Sequence, residues 1–445
     1  MRSPIPWASS FRLRQYLKGS LWAVPLLGAL LGVLLAPLVV RIGTHVEPPR
    51  GWHYTASTAS GVLTTVVGAM VGLLGFVVTI GVLVVQQASG VLSPRYMRLW
   101  HRDRLQKAVL AIFAATFAFA FSLLRHVEDD SVPDLGVSIA GAAVGVSLIL
   151  LLIYLDRFTH SLRPVAVAQR VARLADRSLA EWTRLFSPDV PAGHDRGAAE
   201  APPSASPSEA SAAPADGAAL RVRADRAGAI QAVHVEGLRS LARAHDCLLV
   251  LRHAVGDFVT EGAVLAEAFG DSVPPARAVR ELIALGQERT IDQDPAFAIR
   301  VLVDIAIKAL SPAINDPTTA VQVLNYLEQH LQVAAAADLS YRYGLVDATG
   351  TLRVLVPGRG WDEYLALAVT EIRECGADSL QVCRRLRAVL TGLRAIVPTA
   401  LRPAVVAQLA ELDAAVDRAY QDESRRAAAR VPDRQGLGGS GGVGR

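Results

Sequence analysis

The chain has 445 residues, of which 51% are hydrophobic and only 19% are charged. Soluble proteins usually carry about a quarter of their residues as charged side chains, so a wholly soluble enzyme is disfavoured. The formal charge of +4 could suit a nucleic-acid-binding protein. Most of that excess flanks apolar segments, however, where orientation in a membrane explains it better, and we expect no nucleic-acid partner.

Four segments predict transmembrane helices, because each is long enough to cross a bilayer and contains no Lys, Arg, Asp or Glu. The first is too long for the core of a signal peptide and no small-x-small cleavage site follows it, so it predicts an uncleaved span. The four predicted spans are Leu21–Val40, Gly61–Val85, Ala108–Leu124 and Leu135–Leu155.

Basic residues are concentrated before the first span, between the second and third spans, and after the fourth. The third loop, by contrast, has Arg125 followed by four acidic residues. By the positive-inside rule, the N-terminus and the large C-terminal region are therefore cytoplasmic. The scarcity of Lys beside abundant Ala, Gly and Val is typical of a GC-rich bacterial genome. The predicted location is the bacterial cytoplasmic (inner) membrane, with the lipid bilayer as one partner.

The second span is rich in glycine and in hydroxyl or amide side chains. Its GxxxG motif would allow close helix contact, and the same polar residues could instead line a pore. Packing is the commoner role of such residues, and both interpretations stay open. No ionisable residue lies mid-span, so a proton relay or voltage sensor has no support. The candidate pore or helix-packing residues are Thr64, Thr65, Gly68, Gly72, Thr79 and Gln86.

The second loop contains "SPRYMRLWHRDR", in which arginines alternate with aromatic and apolar residues. Aromatic rings favour the headgroup region of a bilayer, and arginines favour anionic lipid. We therefore predict a lipid-interface segment that includes Arg95, Arg98, Trp100 and Arg102.

The rest of the chain predicts a cytoplasmic α+β domain, mostly helical with a small hairpin or barrel-like β subdomain. The segment "APPSASPSEASAAPADGAA" has almost no large apolar residues and cannot form a core. The predicted organisation is 1–158 transmembrane domain, 159–186 connecting helix, 187–219 disordered linker, 220–270 β-rich subdomain, 271–430 helical domain with one hairpin, and 431–445 flexible tail.

The stretch "AVGDFVTEGAVLAE" resembles the half-repeat of biotinyl and lipoyl carrier domains, and a plain two-strand hairpin fits its glycines equally well. Those carrier domains hold their cofactor on a lysine, and no Lys lies between Lys107 and Lys308. A carrier role is therefore excluded and no cofactor is expected. The three cysteines have neither disulfide nor zinc-site spacing, so no metal is expected either.

The stretch "ALSPAINDPTTA" is the one candidate for an active-site loop. Asp294-Pro295 and Asp316-Pro317 both predict helix starts, since Asp caps free amides and Pro fits the first turn. Ser311 and Asn315 could form a polar site with Asp316, but no His is nearby to activate Ser311. The residue types favour a helix stop, turn and restart over catalysis, and the role of Ser311 and Asn315 stays open.

Four stretches of the chain resemble a family of predicted bacterial membrane proteins catalogued as a domain of unknown function. They are "QQASGVLSPRYMRLWHRDRLQ", "GDFVTEGAVLA", "QERTIDQDPAFAIRVLVDIAIKALSPAINDPTTA" and "GTLRVLVPGRGWDEYLALAVTEIRECGADSLQVCRRL". The resemblance implies a multi-pass membrane region with a cytoplasmic domain, and it implies no activity.

Three functions are compatible with these features. An oligomeric channel or conductance-type protein with a regulatory cytoplasmic domain fits the second span and the lack of a catalytic constellation. A homo-oligomer, with an unidentified cytoplasmic ligand or protein partner, is part of this hypothesis. The alternatives are a non-transporting membrane scaffold or sensor and, least favoured, a membrane-surface enzyme.

Overall fold

The computed structural model describes residues 6–43, 45, 53–91, 103–128, 131–161, 163–186 and 217–435. The chain forms two compact units. The membrane unit comprises Gln15–Ala166, and the C-terminal unit comprises Val167–Arg445 together with Met1–Arg14. Most of the predicted linker (187–216) and of the predicted tail (436–445) lies outside the described residues.

Among the described residues, four helices are long and apolar enough to cross a membrane, which confirms the four predicted spans. These helices follow one another in the chain as α2 to α5, and the shorter helix α1 precedes them. The bounds are α1 (Trp7–Gly19), α2 (Ala23–Gly43), α3 (Ala56–Val91), α4 (Arg104–Leu124) and α5 (Asp134–Ser161).

The third span, α4, is the central helix of the membrane unit and contacts α2, α3 and α5. Half of its apolar window is buried, against 11% for α2. Gly28 and Gly32 of α2 allow the closest approach: a Cβ at either position would lie 2.3 Å from the carbonyl oxygen of Ala111 or Ala115, respectively. The bundle is therefore closed by a GxxxG motif in the first span packed against small residues of α4.

The connecting helix differs slightly from its predicted range. Helix α5 continues to Ser161, and the connecting helix α6 (Pro164–Phe186) begins at a proline, which suits a first helical turn. One face of α6, from Val167 to Phe186, is buried in the C-terminal unit. A single helix thus connects the last span with the core of the C-terminal unit.

The C-terminal unit contains two small sheets within its described residues. The strands are β1 (Leu220–Arg223), β2 (Gly228–Val233), β3 (Leu248–Leu251), β4 (Phe258–Val259), β5 (Val264–Phe269), β6 (Ile283–Gly286), β7 (Arg342–Val346) and β8 (Leu352–Pro357). One sheet has the order β1-β5-β3-β8-β7, and the other has the order β4-β2-β6. Strands β3 and β8 are parallel, and the other paired strands are antiparallel.

Two features of these sheets differ from the predicted organisation. The hairpin β7–β8, assigned to the helical region, pairs with β3 in the register Leu249 to Val354 and so completes the sheet of the β-rich region. Strand β6 lies where a helical pattern is predicted; it pairs with β2, and Gly286 leaves the space that the side chain of Gln231 fills. Both pairings join segments that are distant in sequence, so local periodicity does not reveal them.

The remaining helices cover the sheets and form the helical part of the unit. They are α7 (Val235–Ala244), α8 (Ala276–Arg280), α9 (Pro295–Ala309), α10 (Pro317–Ala336), α11 (Trp361–Gly376), α12 (Leu380–Ile396), α13 (Arg402–Ala419) and α14 (Glu423–Ala429). The mostly helical unit with a small sheet region agrees with the predicted fold class.

Helix α9 is buried on more than its apolar face. Asp304, one helical turn after Arg300 on the polar side of α9, is only 7% exposed. Arg300 lies 2.7 Å from Asp304 and also pairs with Glu371 of α11. The polar face of α9 therefore carries a partly buried ion-pair contact with α11.

Candidate functional site

Three of the stretches that carry the family resemblance meet at one place in the C-terminal unit. The turn before β4 supplies Gly256 and Asp257, the segment between β6 and α9 supplies Arg289 and Asp294, and the loop after β8 supplies Arg359. The sequence separates these residues widely, and only the sheet pairing brings them together. We refer to these five residues as the Asp294 cluster.

The carboxylate of Asp294 is the centre of this cluster and is 3% exposed. It accepts hydrogen bonds from Arg289 at 2.8 Å (Nε to Oδ2) and 3.1 Å (Nη2 to Oδ1), and from the Phe297 amide at 3.1 Å. Burial raises the pKa of Asp294, against the opposing effect of the Arg289 guanidinium. The Arg289 guanidinium also lies over the Phe297 ring, 5.1 Å from its centroid. Asp294 is therefore both a helix cap and half of a buried ion pair.

Gly256 allows the neighbouring turn to approach this pair. Its φ is +98°, and a Cβ would lie 2.2 Å from Oδ2 of Asp294. The next residue, Asp257, accepts the Ala254 amide at 2.9 Å, and its second oxygen is 3.4 Å from Arg359. That distance is long for a charge-assisted hydrogen bond, so Arg359 is the least firmly held charge of the cluster.

A small cleft of about 20 Å³ opens beside the cluster, with room for about one water molecule. Burial raises the pKa of the nearby Glu363 carboxyl and of the Tyr364 hydroxyl. The cleft could accept a small polar group, and it does not pair a nucleophile with a base. Its lining residues are Trp182, Ala254, Val255, Gln293, Asp294, Pro295, Ala296, Pro357, Gly358, Arg359 and Tyr364.

The "SPAIND" loop joins α9 and α10 at the surface. The hydroxyl of Ser311 donates to the Lys308 carbonyl at 2.7 Å. Asn315 has φ +49°, and Asp316 accepts both the amide and the hydroxyl of Thr319, at 3.0 and 2.6 Å. Asp316 thus caps α10 in the same way that Asp294 caps α9. The polar groups of Ser311 and Asp316 are engaged in local turn and cap bonds.

The candidate residues of the second span share one exposed face of α3. Thr64, Thr65, Gly68, Gly72, Thr79 and Gln86 are all exposed in the described chain. A Cβ at Gly68 or Gly72 would meet no described atom within 4 Å. Among the described residues, the GxxxG motif of α3 therefore makes no packing contact in a single chain, unlike that of α2. The signal that sequence reasoning missed is the pairing of Gly28 and Gly32 with an equally spaced Ala111 and Ala115 in α4.

Arg95, Arg98, Trp100 and Arg102 lie outside the described residues. For metals, the described residues contain no group of three or more His, Cys, Asp or Glu side chains placed to hold an ion.

The N-terminal helix α1 is an element whose position the sequence did not indicate. Its first residues belong to the C-terminal unit, where Ala8 donates from its amide to the Glu281 carbonyl at 3.0 Å. Trp7 stacks on His234 with ring centroids 4.9 Å apart. The aromatic pair Trp7 and Phe11 at the start of α1 is a sequence feature that could have indicated a buried contact.

These features define a multi-pass α-helical membrane protein with a C-terminal α+β unit. The chain belongs to the family described as "Predicted membrane protein (DUF2254)", which matches residues 18–392. It is 32% identical over 430 residues to "Uncharacterized protein Mb1321c" of Mycobacterium bovis and to "Uncharacterized protein Rv1290c" of Mycobacterium tuberculosis. Each alignment covers 93% of this chain and 79% of the relative. No solved structure matches the chain.

Proposed function

We propose that the protein is a homo-oligomeric, conductance-type protein of the bacterial cytoplasmic membrane, with the small-residue face of α3 turned toward the shared axis. The C-terminal unit is its cytoplasmic regulatory domain, which binds an unidentified ligand or protein. The protein is not an enzyme in this proposal, since Ser311 and Asp316 use their polar groups in local turn and cap bonds.

The observation that carries the proposal is the geometry of α3. At 100° per residue, the six candidate residues fall within a sector of about 100° that also contains Gly61, Gly75, Val82 and Leu83, whereas Gly81 lies on the opposite, buried side. The six are Thr64, Thr65, Gly68, Gly72, Thr79 and Gln86. The residues that pack against the rest of the chain, including Leu63, Met70 and Val77, lie on the opposite side. The polar face extends for about 38 Å, more than the ~30 Å hydrocarbon core of a bilayer.

The exposed face of α2 provides the comparison. It is rich in leucine, with Leu27 and Leu34 both more than 60% exposed, and such side chains suit contact with lipid. The face of α3 is mostly glycine and threonine, with Val82 and Leu83 exposed near one end. Its small-residue part offers lipid little apolar surface but lets another helix approach closely or admits water. A second copy of α3, packed around a common axis, would cover this face.

The cytoplasmic orientation has two supports. Basic residues flank the spans on the side of the N-terminus and of the C-terminal region. The four spans found among the described residues, and the packing of residues of Met1–Arg14 within the C-terminal unit, support placing the N-terminus and the C-terminal region on the same side as each other.

A non-transporting scaffold or sensor is the second candidate, and one observation favours it. The hydroxyls of Thr65 and Thr79 donate to the carbonyls of Gly61 and Gly75, at 2.8 and 2.9 Å. A threonine whose hydroxyl is bonded within its own helix needs no water, so the same face could pack dry against another helix.

Cysteine accessibility separates a wet face from a dry one. In full-length protein with the three native cysteines replaced, Thr79→Cys should react with a membrane-impermeant methanethiosulfonate reagent. Val78→Cys is the matched control, because Val78 is exposed at nearly the same depth but about 100° around the helix. Ion flux from liposomes should fall when Thr79→Cys is modified.

The outcomes separate a water-filled pore from a dry helix interface. Modification of Thr79→Cys alone, with loss of flux, supports a water-filled axis. If neither cysteine reacts while Thr79→Cys forms a disulfide between copies, the face is a dry interface and the conductance proposal fails in favour of a scaffold.

A further inference from the structure

The first half of α1 lies on a surface of the small sheet that is shaped for a helix. Ala8 packs against Ala232 and Ala284, which are directly paired between β2 and β6. The Ala8 amide donates to the Glu281 carbonyl at 3.0 Å, and Trp7 and Phe11 cover the edge of the contact. Two alanines opposite each other form a shallow groove, because they leave room for the backbone of α1.

His234, directly after β2, borders this groove. Its ring stacks on Trp7, with centroids 4.9 Å apart and an interplanar angle of 30°. The Nδ1 atom of His234 is buried and makes no hydrogen bond with any described residue. The Trp7 ring of α1 therefore covers one face of the imidazole, while its Nδ1 lies beside Gly237 of α7.

Among the described residues, the charged groups near this contact lie on α1, on α7, in the β1–β2 turn and directly after α8. Glu236 on α7 acts electrostatically on His234, and Glu236 is itself paired with Arg239 at 2.7 Å. Arg12 on α1 is near Asp225 and Arg226 of the β1–β2 turn. Glu281, whose carbonyl accepts from α1, has its side chain paired with Arg277 at 2.8 Å. Glu236 is the group among these that favours a protonated His234.

The other end of α1 is held within the membrane unit. The ammonium of Lys107, at the start of α4, donates to the carbonyls of Lys18 at 2.6 Å and Leu17 at 3.4 Å. A cation at the last carbonyls of a helix is a favourable cap, and Lys107 is only 8% exposed. Helix α1 therefore has one firmly capped end and one end that rests on the groove.

We propose that the groove of Ala232, Ala284 and His234 is a docking surface for α1, and that protonation of His234 releases the helix from it. Because α1 leads directly into the first span, release would free the segment that precedes this span. The effect of release on transport rests on the proposed function, whereas the docking and its dependence on pH do not.

The direction of the pH effect follows from burial. Burial, to which the stacked Trp7 ring of α1 contributes, lowers the pKa of His234, against the weaker opposing influence of Glu236. Without the Trp7 ring over it, the pKa of His234 would move back toward the usual value of ~6.5. Docking is therefore fully stable above that value and weakens as the pH falls through it, since the released state then binds the proton more tightly.

A distance measurement by pulsed electron paramagnetic resonance tests the docking in the full-length protein. Spin labels are attached to Leu13→Cys on α1 and Val406→Cys on α13, both exposed positions of the C-terminal unit, with the native cysteines replaced. At about pH 8 we expect one narrow distance distribution, and at about pH 5 a several-fold larger population of broad, longer distances. Flux is not needed for this readout.

Three variants make the result specific. His234→Gln should keep the narrow distribution at both pH values, and Trp7→Ala should give the broad distribution at both. Tyr16→Ala, on the exposed side of α1, is the matched control and should behave as the parent protein. An unchanged distribution between the two pH values in the parent, or an undiminished pH response in His234→Gln, would overturn the proposal.

Discussion

Asp294 and Asp316 begin two helices with the same Asp-Pro pair, and we predict that they differ sharply in their contribution to stability. Both accept the amide of the third residue along the chain, at 3.1 Å in Asp294 and 3.0 Å in Asp316. Asp294 is 3% exposed and paired with Arg289. Asp316 is partly exposed, and among the described residues its carboxylate bonds to Thr319 in its own helix start. Replacing each residue by alanine therefore compares the loss of a cap alone, at Asp316, with the loss of a cap and a buried ion pair, at Asp294.

The expected magnitudes follow from these contacts. Loss of a helix cap costs about 1 kcal/mol, which is the expected effect of Asp316→Ala. Asp294→Ala also leaves the Arg289 guanidinium without its partner, and breaking a buried pair costs about 3–5 kcal/mol. Asp294→Asn should be intermediate, because the amide can still cap α9 but cannot neutralise Arg289.

Thermal unfolding of the purified full-length protein, followed by tryptophan fluorescence, measures the difference. For a unit of this size, the two alanine variants should lower Tm by roughly 6–20 °C (Asp294→Ala) and roughly 2–4 °C (Asp316→Ala). Equal shifts in the two variants would refute the reasoning, because they would show that capping alone accounts for both residues.

Three more predictions compare matched positions. Gly256→Ala should lower Tm more than Gly262→Ala: both have positive φ, but a Cβ would be 2.2 Å from a buried carboxylate oxygen only at Gly256. Gly32→Leu should prevent recovery of monodisperse protein, because a Cβ at this position would lie 2.3 Å from a carbonyl oxygen of α4. Gly72→Leu should leave the single chain folded, because a Cβ there meets no described atom within 4 Å. It should instead reduce the mass of the oligomer, which light scattering measures. Ser311→Ala should lower the free energy of unfolding by no more than about 1 kcal/mol, because it removes one surface hydrogen bond. A complete loss of function in a Ser311→Ala protein that still folds would instead support the enzyme hypothesis.

The four spans and the two capped helices could be predicted from the sequence because both depend on local physics. A run of about twenty apolar residues must be helical in a bilayer, since no water is available for its backbone. An Asp-Pro pair satisfies the amides of a first helical turn wherever it occurs. Such features need no knowledge of the rest of the chain.

The Asp294 cluster could not be predicted as a unit. Gly256, Arg289 and Arg359 come from three loops whose proximity depends on the pairing of β3 with β8 and of β2 with β6. The glycine pattern indicated a turn at Gly256, but not the carboxylate that the turn approaches. Pairing between distant strands depends on side-chain contacts across the whole core, so a local pattern does not determine it.

The sequence by itself determined the class of protein, the number of spans, and the helix starts at Asp294 and Asp316. The tertiary structure decided which copy of each repeated motif is buried. The GxxxG motif of α2 packs against α4, while the GxxxG motif of α3 stays exposed. The Asp-Pro pair at Asp294 is buried, while the pair at Asp316 lies near the surface. Hydrophobicity and capping act between neighbouring residues, whereas close packing and burial exist only when a complementary surface arrives from elsewhere in the chain.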